Sequence, residues 1–537
     1  MLRILLDGLF VLNQNRALIL GILAILIATG LALTFLLRPK TGQKSSYNHI
    51  TLFFFFTTSL LLRLAYLRNV FIPPYFDSVE HFRIIKAMTE GLASHAFFDV
   101  FSGLTENYYH LGFHTLASLL AFGLRADPID VMLVFGQITL TMLPIPVFFL
   151  IWRETKDQKA AFFSALLAGF GWYMPGFAIN WGKYPAITGL LAFEVALLLI
   201  TYLRFQKKYL VKNIQLFSIF ISILIHSRTL VLFLISFLGY FLSRKIFALG
   251  KENQYKALKI EFLGILIFGI LIYQQPLLKL ALEPYINKSI WITAIIFLLT
   301  PFALRKYRQA VHFCLLFILL LFACLFIPIN GILPGFETQT LLDRPFVEMS
   351  LYFPLSVLGG VGFSGLLQSL KNIPALSKRT YKSLNFLTAL ILFTLVGFLI
   401  TKDYKFYPSD CCNFLGYDDT IAFEWINNNL PANISILVAS NQLNVLPSTN
   451  SADLVGSDAG IWIPQLINRK IIMAPYELDF LSSETKDFLC HSQTNYIYVG
   501  NKEQSFNQST LLQKRDWYQA LLSLPNTQLF YITNCSN

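Results

Sequence analysis

The sequence predicts a mostly α-helical fold, a polytopic transmembrane bundle of about 12–13 helices with a C-terminal extracytoplasmic α/β domain. Three observations predict it. Of 537 residues, 55% are hydrophobic and 13% charged, against roughly 25% charged in soluble domains, and the mean hydropathy is +0.57. Apolar runs of spanning length recur as far as residue 402 and then stop. Basic residues gather in the short connections between those runs.

The chain opens on "MLRILLDGLFVLNQNR", which has an Asp in its apolar part and no small-residue cleavage motif. It reads as a retained helix rather than a signal peptide. A spanning helix needs ~20 apolar residues. The candidates are 17–37, 50–72, 129–151, 160–179, 184–203, 213–227, 228–243, 259–274, 289–304, 310–330, 346–368 and 384–402. Two of them, 213–227 and 228–243, are short and share a tight turn at His226–Arg228. The stretch 109–124, "YHLGFHTLASLLAFGL", is shorter than a span and carries His110 and His114. It is expected to lie on, or re-enter from, the outer face.

Sidedness follows from charge. Arg38/Lys40/Lys44, Arg204/Lys207/Lys208/Lys212, Arg244/Lys245/Lys251/Lys256, Arg305/Lys306/Arg308 and Lys371/Lys378/Arg379/Lys382 mark cytoplasmic loops. The formal charge of +12 is thus placed for a membrane, not for nucleic acid. The intervening connections 73–110, 179–183, 226–228, 275–288 and 331–345 fall outside, as does everything after 403. This divides the chain into a membrane domain, 1–402, and a soluble domain, 403–537. In the latter, "DDTIAFEWINNNLP" has helical spacing with Ile421, Trp425 and Ile426 on one side. "ISILVAS", "YIYVG" and "LFYITN" read as strands. Cys314 and Cys324 lie in an apolar run as packing residues; Cys411, Cys412, Cys490 and Cys535 allow three pairings, or free thiols.

Chemistry concentrates in the loop 73–110, far longer than the other connections. It holds Asp77, Glu80, His81, Asp99, Glu106 and His110, with His114 just beyond. One reading of "DSVE" is structural, with Asp77 capping a helix and Glu80 in its first turn. The other is chemical. A carboxylate beside Tyr75, Phe76 and Phe82 at a membrane boundary is desolvated and suited to act as a general base. Glu80 and His81 would then orient it or help hold a divalent metal, although Asp-x-x-Glu-His alone assures no third ligand. Outer-face cations are few: Lys183, Arg228 and Arg344 either meet a phosphate or anchor lipid headgroups.

Further residues carry a structural reading beside a functional one. Glu194 in "LLAFEVALLL" is a buried functional carboxylate or a bond between helices. Arg63 pairs or snorkels. Glu348 lies four residues after Arg344 and can pair with it. Asp458 and Trp462 contact an acceptor or build a turn. The triplets "NIS" at 433 and "NQS" at 507 carry little weight alone.

The layout resembles the GT-C superfamily of integral-membrane glycosyltransferases. "YFDSVEH" stands where those proteins carry an acidic motif, and "YYHLGFH" is similar to the aromatic/His segment that follows it. "NWGKYP", "HSRT" and "DRPFVEMSLYFPLSVLGGVG" resemble later outer-face segments, and "AFEWINNNLPANISILV", "SDAGIWIPQLINRK" and "YIYVG" parts of the C-terminal domain. Two apolar helices precede the acidic loop, where many members have one. The resemblance implies transfer of a sugar from a polyprenyl-phosphate donor to a glycan, lipid or protein acceptor, with inversion, on the outer face of a bacterial plasma membrane. Asp77 becomes the general base and Glu80 the second carboxylate. His81, His110, His114, Lys183, Arg228 and Arg344 become substrate-binding residues. A divalent metal, Mg or Mn, is the cofactor left open, with Asp77, Glu80 and His81 as its ligands. Two other readings remain: a transporter or flippase for a lipid-linked glycan, and a non-catalytic membrane protein of the same fold.

Overall fold

The computed structural model describes all residues except 37–48, 106–109, 204–208, 249–262, 264–266, 268, 272–273, 288, 330–339, 372–376, 444–453, 534 and 536–537. Glu106, most of the expected span 259–274, and several of the loop cations lie outside the described residues.

The first part of the chain is helical. Helices α1 (Leu2–Gln14), α2 (Arg16–Leu36) and α3 (His49–Leu64) lead through a 3-10 turn (Ala65–Asn69) to α4 (Asp77–Ala93), α5 (Phe97–Thr105) and α6 (Gly112–Leu124). Then come α7 (Pro128–Met142), α8 (Pro144–Thr155), α9 (Gln158–Phe170), a second 3-10 turn (Gly176–Trp181) and α10 (Tyr184–Leu203). Next are α11 (Tyr209–Ile225), α12 (Thr229–Ala248), α13 (Pro276–Ile286), α14 (Ile290–Lys306) and α15 (Arg308–Ala323). The bundle closes with α16 (Arg344–Ser350), α17 (Tyr352–Lys371) and α18 (Lys378–Asp403).

Among the described residues, six helical stretches are long and apolar enough to cross a bilayer: Ile50–Asn69, Pro128–Thr155, Tyr184–Leu203, Thr229–Ile246, Arg344–Lys371 and Arg379–Asp403. Two sharply bent pairs raise this to eight, and Gly112–Leu124, Val211–Ile225 and Arg308–Ala323 are shorter apolar helices. The expected span 160–179 divides into the 13-residue α9 and the second 3-10 turn. Helix α6 has 13 residues, about 20 Å at 1.5 Å per residue, short of the ~30 Å hydrocarbon core. It does not span by itself.

Small residues let the core helices close up. Gly362 and Gly365 of α17 meet Leu299 and the Phe302 carbonyl of α14, and Gly359 and Gly360 meet Leu167 and Ser164 of α9. The Ser164 hydroxyl donates to the Ser356 carbonyl at 2.7 Å. Two buried charged residues of the bundle bond to neighbouring elements, which lowers the cost of burying them away from water. Glu194 accepts from the Tyr352 hydroxyl at 2.6 Å, a helix-to-helix bond. Arg63 donates to the Tyr404 hydroxyl and the Gly169 carbonyl.

Beyond the bundle, α19 (Tyr417–Asn429) precedes a six-stranded sheet. Its strands are β1 (Ser435–Gln442), β2 (Leu454–Gly456), β3 (Lys470–Pro475), β4 (Tyr496–Val499), β5 (Tyr518–Ser523) and β6 (Gln528–Ile532). Central β1 pairs in parallel with β3 (Ser435 with Lys470) and with β4 (Ile436 with Tyr496). Antiparallel pairs β1–β2, β4–β6 and β6–β5 complete it. Parallel neighbours need helical crossovers; α20 (Ile463–Ile467) and α21 (Ser483–His491) lie on these connections. The expected strands correspond to β1, β4 and β6. Cys411 pairs with Cys412 and Cys490 with Cys535; Cys314 and Cys324 are buried thiols.

Candidate active site

The site is built around the start of α4. Pro73 and Pro74 block regular structure, and Tyr75 takes a left-handed φ of 69°. Its amide donates to the Cys412 carbonyl at 2.9 Å. Ser78 donates its hydroxyl back to the Pro74 carbonyl. This turn begins the helix one residue earlier than a cap at Asp77 requires. The cap position is Phe76, which has no capping side chain, and Asp77 is the first helical residue. The capping reading of "DSVE" is therefore corrected. Asp77 and Glu80 both sit in the first turn, where the helix dipole favours negative charge.

Asp77 forms an ion pair with Lys183, and both side chains remain partly open to solvent. Lys183 follows Gly182, whose φ of +66° turns the chain from the second 3-10 turn into α10. Gly182 packs directly on α4. A Cβ there would stand 2.6 Å from the Ser78 hydroxyl and 3.3 Å from the Asp77 Cβ. Desolvation works to lower the Lys183 pKa, but the carboxylates of Asp77 and then Asp343 outweigh it and hold the ammonium above its ordinary value.

Two further cations close the other side. Arg228 pairs with Asp343 at 2.6 Å, while the same carboxylate caps α16 through the Phe346 amide at 2.9 Å. Arg344 pairs with Glu348 at 3.5 Å, the i,i+4 contact expected from spacing. His226 stacks on Phe346 with ring centroids 5.1 Å apart, and His110 lies 4.6 Å from His226. Gly189 of α10 makes room for the His226 side chain. On the α4 side, His81 Nδ1 lies 3.0 Å from His114 Nε2. Burial first, then the charge of Lys183, lowers the His81 pKa to about 3. His110 falls to about 4 through burial, then Arg228 and Lys183. Both are neutral imidazoles at neutral pH.

Five stretches far apart in sequence thus meet at one end of the bundle: 75–81, 110–114, 180–184, 226–228 and 343–348. Of the residues expected from sequence, Asp77, His81, His110, His114, Lys183, Arg228 and Arg344 come together. Glu80 does not. It is exposed and forms a bidentate pair with Arg83 on the helix surface, at 2.6 and 2.8 Å. The expected metal set does not converge either. Asp77 turns to Lys183, Glu80 to Arg83 and His81 to His114. Among the described residues no three His, Cys, Asp or Glu side chains gather on one point.

The sequence reading took in Asp343, His226 and Gly182 only within the segments "DRPF", "HSRT" and "NWGKYP" and gave none of them a site role. Each had a local signal. Asp343 precedes Arg-Pro at a helix start, His226 shares the turn of Arg228, and Gly182 separates two aromatic-rich segments. Asp458 and Trp462 prove structural. Asp458 accepts from the Gly460 amide at 2.9 Å and the Ser505 hydroxyl at 2.6 Å. Trp462 is buried and packs on Phe82 of α4 at 5.7 Å.

The depressed histidines carry a stability prediction. An unfolded chain protonates them near pH 6.5, the folded one only near 3 to 4. Stability is therefore full above pH 6.5 and falls as the pH drops towards about 4, by at most about 1.4 kcal/mol per pH unit and histidine. Thermal unfolding in detergent at pH 7.5, 6 and 5 checks this; His81→Gln should flatten the curve.

The architecture is a polytopic helical bundle with a C-terminal sheet region. Among solved structures, the archaeal oligosaccharyltransferase AglB from Archaeoglobus fulgidus, in complex with an inhibitory peptide and a dolichol-phosphate, matches with a TM-score of 0.50. Identity is 12%, over 89% of this chain and 73% of that one, so the likeness carries the fold alone. No family model and no curated protein sequence matches the chain.

Proposed function

We infer that the protein is a membrane glycosyltransferase that moves a sugar from a polyprenyl-phosphate donor to an acceptor, with the Asp77 end of the bundle and residues 403–537 on the extracytoplasmic side. The observation that carries this reading is the gathering at one end of the helical bundle of Asp77, partly open to solvent and paired with Lys183, with Arg228 and Arg344, which pair with Asp343 and Glu348. A donor of this kind is divided at the membrane surface, lipid in the bilayer and sugar above it. The archaeal neighbour was solved with a dolichol-phosphate, which fits such a donor.

The chemistry follows from the residues. The acceptor hydroxyl attacks the anomeric carbon while Asp77 takes its proton. The bond from that carbon to the phosphate oxygen breaks, the lipid phosphate leaves with the electron pair, and configuration inverts. Lys183, Arg228 and Arg344 stabilise the charge on the leaving phosphate. Lys183 has a second effect: it masks Asp77 until an arriving phosphate competes for its ammonium. The base is thereby exposed when donor is present. His110 and His226, neutral and beside Arg228, add hydrogen-bonding capacity without further charge.

Membranes bearing the protein are incubated with a panel of labelled polyprenyl-phosphate sugars, with and without a chelator. Transfer from one of them supports the reading, and the chelator reports directly on metal dependence. Absence of transfer across the panel, together with lipid-linked glycan translocation, would replace it with transport. Arg228→Ala and Arg344→Ala should raise KM for the donor more than Asp77→Asn does, by about tenfold if each removes one charge-assisted bond. Donor titrations over each variant measure it.

A further inference from the structure

We propose that α1 is an interfacial helix, lying in the membrane plane within the leaflet on the Asp77 side. Its occupant surface is the boundary between lipid headgroups and acyl chains.

The geometry is the first argument. Helix α2 starts at Arg16, places Gly21 of its second turn against Leu124, the last residue of α6, and runs to the edge of the basic segment at 37–48. Helix α1 meets α2 at an angle of 89°. If α2 crosses the bilayer, α1 lies along it. Helix α1 crosses α3 where Gly8 touches the Leu61 backbone so closely that a Cβ has no room. Leu61 is in the last turn of α3, just before the 3-10 turn that carries Arg68.

The second argument is the division of α1 into three sectors. At 100° per residue, Ile4, Gly8, Val11 and Asn15 form the side turned to the protein; Gly8 and Val11 are buried. Leu2, Leu6, Leu9 and Phe10 form a second sector, exposed by 74%, 56%, 47% and 42%, with exposed Asn13 at its C-terminal end. Arg3, Asp7 and Gln14 form the third, a polar edge. A helix in water has no use for the second sector, and a spanning helix has none for the third. An in-plane helix uses all three, against protein, hydrocarbon and headgroups.

Third, the polar edge is fastened to groups at the Asp77 end. Asp7 pairs with Arg68 at 3.5 Å and accepts from the Tyr407 hydroxyl at 2.6 Å. The Arg68 guanidinium also covers the Phe10 ring at 3.7 Å. The apolar sector continues onto α2, where Leu20, Ile25 and Ile27 are exposed by about half or more. The exposed apolar surface is thus present on both helices, with the polar residues Asn13, Gln14 and Arg16 at the bend between them.

The test places nitroxide labels at Leu9→Cys, Leu6→Cys and Arg3→Cys in the full chain, reconstituted in phospholipid vesicles. Background labelling is limited, because two native cysteines are buried and four are paired. Power saturation compares collision with oxygen, which concentrates in hydrocarbon, against a water-soluble nickel chelate. The expected result is a severalfold higher oxygen-to-nickel ratio at Leu9 and Leu6 than at Arg3, with depths near the headgroup boundary. Equal nickel access at all three positions overturns the proposal in favour of a helix in water. Depths at the bilayer centre overturn it in favour of a broken span. The three sites report separately, so one misfolded variant does not decide the outcome.

Discussion

Asp77→Asn should remove sugar transfer while leaving the protein inserted and folded. Removal of a general base costs typically 10²–10⁴-fold in rate. The asparagine is isosteric and can still accept a hydrogen bond from Lys183, so the local packing survives. What is lost is the ability to take a proton, together with the charge that holds the ammonium. Glu80→Gln is the matched comparison, one turn further along the same helix. Because Glu80 faces solvent and pairs with exposed Arg83, its loss should cost less than about 1 kcal/mol in stability and leave transfer near wild type. Rates of labelled transfer and unfolding temperatures for both variants settle the matter. Equal activity of wild type and Asp77→Asn would exclude Asp77 as the base.

Gly182→Val should be nearly as damaging, although residue 182 makes no contact that chemistry would single out. A non-glycine residue in the left-handed region costs roughly 1–2 kcal/mol. The larger effect is steric. The added side chain points at Ser78 and Asp77, at distances that real Cβ atoms do not tolerate against Ser78. The first turn of α4 has to shift, and Lys183, the next residue, moves with it. Both members of the ion pair are then displaced. The expected outcome is a fall in kcat with a modest fall in unfolding temperature. Gly182→Ala should show a weaker form of both. Wild-type kcat in Gly182→Val would mean that the turn does not position the pair.

The membrane character of the chain was legible because a bilayer imposes one strict demand, long apolar runs, and composition reports it directly. The position of Asp77 was legible for a related reason: an acidic, histidine-bearing loop between apolar segments is chemically conspicuous. The role of Glu80 was not. Spacing along a helix places Asp77 and Glu80 near one another, but Arg83 lies three residues beyond Glu80 and claims it. The strand β3 and the strand β5 escaped notice, since "KIIMAP" ends in proline and "YQALLS" has no alternation. They become strands because β1 and β6 offer edges to pair with. Asp343 and His226 join the site only through tertiary packing, which brings the starts of α12 and α16 together.

Asn180 accepts hydrogen bonds from the Tyr66 hydroxyl at 2.9 Å and from the Ser409 amide at 2.8 Å. One carbonyl thus ties the end of a membrane helix and the segment that leads into the sheet to the same turn that presents Lys183. With the Tyr75 amide bound to Cys412, both halves of the ion pair lean on residues 409–412. The C-terminal region is consequently not a cassette. A chimera that grafts a foreign C-terminal domain after residue 403 inherits a helical portion whose Asp77–Lys183 pair has lost its backing, so the exchangeable unit of this protein must carry its own linker across the seam.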